Sequence, residues 1–203
     1  EIYTLHTSAA SDVYKRQVYG GGGNSGATYK QDFIELYNLS SEPVSLDGWV
    51  LNGQSTGGSA YTPPTTLSGT IQPGDYFLVS QAAGNGGSQD VDADLAGAMA
   101  IGAKGATIEL VDASGNVIDL VGWGGAKKFE GKAAAGTSNT TSIARKDPKV
   151  DTDNNADDFS AGEPTPQKSG SAGEAPAPTE TPAPTETPEP VSYTHLTLPT
   201  ICS

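Results

Sequence analysis

The stretch "ATIELVDASGNVIDLV", residues 106–121, decides the fold class. Two β-rich runs, 106–110 and 117–121, flank the tetrad Ala113-Ser114-Gly115-Asn116, whose glycine suits a short turn, so the segment predicts an antiparallel hairpin. Further strands follow outward from it. Ser142-Ile143-Ala144-Arg145 reads as one more, and Tyr76-Phe77-Leu78-Val79 starts directly after the turn signal Pro73-Gly74. Val44-Ser45-Leu46 leads through Asp47-Gly48 into Trp49-Val50-Leu51, which Asn52-Gly53 closes with turn chemistry. Residues 32–37 are too apolar for clean alternation, as expected of a strand inside a sandwich. No window of helical length carries a 3.6-residue apolar period with caps. Short strands with Gly/Pro punctuation predict an all-β sandwich.

The two ends of the chain read differently. The run SAASDVYKRQ, residues 8–17, can be back-translated as TCG GCA GCG TCA GAT GTG TAT AAG AGA CAG. Its reverse complement, in a shifted frame, spells VSYTHLTLP, residues 191–199, and begins the codon for Thr200. One inverted DNA segment therefore encodes both ends, and it resembles the transposase-inserted adapter of shotgun sequencing libraries. Residues 1–17 and 191–203 are accordingly set aside from fold reasoning, as any cloning scar would be. This removes His6, His195 and Cys202, the only histidines and the only cysteine. It also removes two bases, Lys15 and Arg16, and two acids, Glu1 and Asp12, so the formal net charge stays at −13. So acidic a chain disfavours direct nucleic-acid binding, and Lys127-Lys128-Phe129 is too small a basic island to reverse that. No hydrophobic run approaches the length of a membrane span.

From residue 169 to 190 the sequence is SGSAGEAPAPTETPAPTETPEP, with the unit PAPTET occurring twice. Alternating prolines remove backbone donors and fix φ, so a disordered, extended, acidic Pro/Thr/Glu-rich linker is expected here, with a further module beyond it.

Five segments in succession resemble a known family: "FIELYN" (33–38), "VSLDGW" (44–49), "IQPGDYFLV" (71–79), "IDLVGWG" (118–124) and "TSIARKDP" (141–148). They are similar to the lamin-tail domain, an immunoglobulin-like β-sandwich. "VYGGGGNSGATY" (18–29) looks like the opening of its bacterial secreted version. The resemblance covers residues 18–168 and implies a first strand cut short at the sheet edge. It further implies a non-catalytic module, secreted or cell-surface, in a multidomain bacterial protein. Such a module would act in binding, adhesion or spacing, as an accessory to an extracellular nuclease or phosphoesterase. Its partner would be a cell-surface or extracellular protein or a polysaccharide. Tyr37, Trp49, Tyr76 and Phe159 are assigned to the core or its rim.

Two motifs compete with that reading. The glycine-rich run at 20–26 could cradle a phosphate, but a strand rather than a helix follows it, so a flexible loop is expected. The acidic run "DTDNNADDF" (151–159) places Asp151, Asp153, Asn155 and Asp157 on alternate positions, the spacing by which a calcium loop presents oxygens to one centre. Ala156 stands where an EF-hand has glycine and Gly162 where it has glutamate, which favours turn-capping carboxylates over a metal site. The alternative function built on this run is a calcium-binding adhesion module or an oxygen-ligated metallohydrolase. Other carboxylates, among them Glu35, Asp119 and Glu109, are scattered with no pair singled out by spacing, and no catalytic residue is assigned.

Overall fold

The computed structural model describes residues 13–171. The expected linker from residue 172 onward and the terminal segment 191–203 lie outside them, as do His6, His195 and Cys202. The strands, in chain order, are β1 (Val13–Tyr19), β2 (Gln31–Asn38), β3 (Val44–Ser45), β4 (Val50–Ser55), β5 (Thr65–Thr66) and β6 (Thr70–Ile71). There follow β7 (Tyr76–Ala83), β8 (Leu95–Ala96), β9 (Ala106–Val111), β10 (Val117–Trp123) and β11 (Ser142–Arg145). A single helical turn, α1 (Asn155–Asp158), leads directly into β12 (Phe159–Gly162). A six-stranded sheet runs in the order β12-β11-β1-β2-β7-β8, a four-stranded sheet in the order β10-β9-β4-β5, and β3 pairs with β6 alone. This is an immunoglobulin-like β-sandwich, all but one pair of its strands antiparallel.

One core joins the two large sheets. Val18, Ile34, Leu36, Val79 and Ile143 enter it from the six-stranded sheet, and Leu51, Ile108, Leu110, Val121 and Trp123 from the four-stranded one. Each such side chain taken out of water contributes about 1.5–3 kcal/mol before entropy is counted. Trp49 and Phe159 belong to this core, as expected, while Tyr37 and Tyr76 form a half-buried pair with ring centroids 5.1 Å apart. Strand β2 is buried on both faces. Its Ile34 and Leu36 face the main core, and Phe33 packs in a second cluster with Tyr19, Leu78 and Val91. That two-sided burial is why its sequence does not alternate.

Four expectations need correction. The first strand, β1, lies inside its sheet between β11 and β2 rather than at an edge, and the adapter-like Val13–Gln17 form most of it. Main-chain pairing asks little of side-chain identity, but these side chains fit unevenly. The ladder to β2 is interrupted by a bulge between Lys15 and Gln17, and Lys15 stands opposite Leu36 with 0% exposure. Its ammonium group lies 2.8 Å from Asp119 Oδ2, and burial pulls its pKa below the usual lysine value against the pull of Asp119.

The second correction concerns Asn52-Gly53, which is no turn but the middle of β4. A Cβ on Gly53 would stand 2.5 Å from Tyr61 Cδ2, so glycine is there to admit that ring. Third, the glycine-rich loop is closely held: Gly22 N–H donates to Asp32 Oδ1 at 2.8 Å, and a Cβ on Gly22 would meet the Gln31 backbone at 2.0 Å. Fourth, α1 forms where no helix was expected; four residues are too few to show a period.

Candidate functional site

The acidic run folds into a clasp around Arg145. Strand β11 carries this guanidinium inward, where it is fully buried between the rings of Tyr14 and Phe159, 4.7 and 4.6 Å from their centroids. Nη2 lies 3.4 Å from both Asp119 Oδ1 and Asp151 Oδ2, and Nη1 lies 3.4 Å from Asp158 Oδ2. Nη1 also donates to the Val150 carbonyl at 2.9 Å. Burial works against the charge of Asp158, but hydrogen bonds from Thr152 N–H and Oγ1, together with Arg145, outweigh it and hold the carboxyl below its ordinary range. For Asp151 burial prevails over Arg145, and the pKa is raised.

The four residues expected to share a cation are placed as follows. Asp151 Oδ2 faces Arg145, and its Oδ1 accepts from Asp153 N–H at 3.2 Å. Asp153 adopts a φ of 54°, turning the chain, and Asp157 Oδ2 accepts from Asn154 Nδ2 at 2.6 Å. Asn155 points into the protein with 0% exposure. Its Oδ1 accepts from Gly122 N–H at 2.8 Å and Glu130 N–H at 3.2 Å, and its Nδ2 donates to the Leu120 carbonyl and to Glu130 Oε2, both at 3.0 Å. Alternation would have aimed these oxygens at one centre in an extended chain; the helical turn α1, capped by Asn154 at its N-terminus, rotates successive side chains by about 100° instead. Among the described residues, no group of three or more His, Cys, Asp or Glu side chains is placed to hold a metal ion.

Three carboxyls elsewhere carry raised pKa values, each of about 7. Asp32 is buried and accepts from Gly22 N–H and Ile101 N–H; burial raises it, and those two bonds offset the rise only in part. Glu35 is raised by burial against the opposing Arg16, and Glu130 by burial and by the neighbouring Asp119 and Asp151. Each of these groups is engaged in holding segments together. Gln167 N–H, for instance, donates to Glu35 Oε2 at 2.7 Å and fastens the chain that follows β12 across the sheet.

A second place was not found from sequence. The outward face of the four-stranded sheet bears a groove of about 330 Å³ floored by Asn52, Gln54, Thr107 and Glu109. Sequence offers little signal for it, because reading Asn52-Gly53 as a turn ends the strand before Gln54.

The chain's sequence matches the Lamin Tail Domain family over residues 6–125, more than half its length. The chain belongs to the lamin tail domain family. The match starts inside the adapter-like segment and stops after β10, so β11, α1 and β12, which complete this lamin tail domain, lie beyond it. Arg145, Asp151, Asp158 and Phe159 of the clasp thus lie outside the matched span, and Asp119 and Tyr14 inside it. No curated protein matches the chain. Among the described residues, no helix of this lamin tail domain is long and apolar enough to cross a membrane.

Proposed function

We propose that this lamin tail domain is a non-catalytic binding or spacing module of an exported bacterial protein, accessory to an extracellular nuclease or phosphoesterase carried by another module of that protein. The observation that carries this reading is the internal pairing of the buried charges. Arg145 pairs with Asp119 and Asp158, and the neutral Asn155 beside them is spent on the β10 backbone and Glu130, so all four serve to close the fold. A catalytic acid or base must instead present its reactive atom to a substrate. The acidic Pro/Thr/Glu-rich segment at 169–190 supports the assignment to an exported, multidomain protein, since such a spacer separates modules. The net charge of −13 supports a partner other than nucleic acid.

The test is an assay of the purified chain on plasmid DNA and on a chromogenic phosphodiester with magnesium, manganese or calcium present. Turnover no higher than that of a boiled control is expected. Metal-dependent turnover that disappears in Asp151→Ala/Asp153→Ala would instead establish the metallohydrolase.

A further inference from the structure

The groove on the four-stranded sheet has the chemistry of a hydroxyl-recognising site. Asn52 stands opposite Glu109 and Gln54 opposite Thr107 in the β4–β9 ladder. Their neighbours Leu51, Ile108 and Leu110 belong to the core, so these four polar side chains share the outer face. Successive ones on a strand stand about 7 Å apart, and cross-strand partners about 5 Å.

Two walls turn this patch into a groove. On one side the segment around Lys128 lies over Gly122, where a Cβ would meet the Lys128 carbonyl oxygen at 2.3 Å; Thr107 Oγ1 donates to that same carbonyl at 2.8 Å. On the other side stand Ala60, opposite Gln54, and Pro64. Tyr61, opposite Gly53, turns its ring to the core face, and its hydroxyl accepts from Gly102 N–H at 3.0 Å.

The floor is polar but nearly neutral. Lys128 Nζ pairs with the Glu109 carboxylate, leaving further acceptor and donor capacity on both groups. The half-buried carboxamides of Asn52 and Gln54 make no hydrogen bond to any of the described residues, and each offers an acceptor and two donors. A strongly charged ligand would meet one balanced ion pair within a chain of net charge −13. A purely apolar ligand would strand the carboxamides of Asn52 and Gln54. A polyol satisfies both conditions, because each hydroxyl donates and accepts while the C–H groups of a sugar ring can rest on Ala60 and Pro64. About 330 Å³ is at the small end of ligand sites and suits one or two sugar rings.

We infer that this groove binds a neutral oligosaccharide through Asn52, Gln54 and Glu109. The inference rests on the reading of the chain as a binding module and names its ligand class.

The test titrates the full chain with cellotriose, maltotriose, xylotriose and mannotriose, following the side-chain amide resonances of Asn52 and Gln54 by NMR. At least one probe is expected to shift them with a Kd of roughly 0.01–1 mM. Asn52→Ala/Gln54→Ala is expected to raise that Kd at least about tenfold, as is Glu109→Gln, with far-UV circular dichroism unchanged. Absence of any shift up to about 10 mM of all four probes overturns the inference. Binding that leaves the variants unaffected also overturns it, since the sugar would then sit elsewhere. Either failure leaves the module reading standing; that reading falls only to hydrolytic turnover by the chain.

Discussion

Replacing Asn155 separates a structural amide from a calcium ligand. Its side chain serves the Gly122 N–H and the Leu120 carbonyl, both on buried residues of β10, and two groups of half-buried Glu130. In Asn155→Ala the Glu130 groups can find water, but the two β10 groups are left unpaired at about 1–3 kcal/mol each, a loss of roughly 2–6 kcal/mol. Urea denaturation in EDTA, followed by the fluorescence of the buried Trp49 and Trp123, measures it. With a urea dependence of about 1–3 kcal/mol per molar, the midpoint should fall by about 1 M or more. Asn155→Asp sharpens the distinction. It keeps the acceptor for Gly122 but presents a negative oxygen to the Leu120 carbonyl and the Glu130 carboxylate, so it too should destabilise, less at acid pH than at neutral. At a calcium site the same change would strengthen binding. An Asn155→Ala variant within about 0.5 kcal/mol of the parent in EDTA would refute the reasoning.

Other consequences follow from the same geometry. Asp32, Glu35 and Glu130 have folded pKa values raised to about 7 from ordinary values of 3.8, 4.5 and 4.5, so the folded state holds extra protons between those limits. Their contribution to stability is therefore full below the ordinary carboxyl range and is lost as pH rises through about 7. Melting temperature should fall between about pH 5 and about pH 8, and Asp32→Asn should flatten the fall; a rise over that window contradicts the assignment. Gly53→Ala should cost about 1–3 kcal/mol in chemical denaturation, because its Cβ displaces the Tyr61 ring; an unchanged midpoint would show that the ring moves freely. Long-read sequencing of the source DNA across both junctions should return a frame in which residues 1–17 and 191–203 are replaced. An apolar residue is expected at position 15, where the lysine side chain is fully buried opposite Leu36; recovery of the segments as written would end the adapter reading.

What could be read from sequence was whatever local chemistry decides. The β9–β10 hairpin combines two β-rich runs with a glycine at φ 88°, and β7 follows a turn whose Gly74 has φ 69°, so both elements were legible. The two-residue strands β5, β6 and β8 are fixed by pairing with other strands, and two residues carry no period. Asn52-Gly53 misled because the glycine answers to a tertiary neighbour, Tyr61, instead of a turn. The clasp was half legible. Asp151 is among the candidates of the acidic run, but Asp158 is not, and Arg145, which organises both, reads as an ordinary strand residue. Nothing nearby in sequence announces that it meets Asp119 from another sheet.

The claim that the acidic run closes the fold, and is not a cation site, is tested most directly by the melting temperature of the unaltered chain in about 2 mM calcium and in EDTA. If Asp151, Asn155 and Asp157 are spent on Arg145, β10 and Asn154, the two values should agree within about 1 °C. A rise of several degrees with calcium, about what a ligand specific to the folded state would produce, would contradict it.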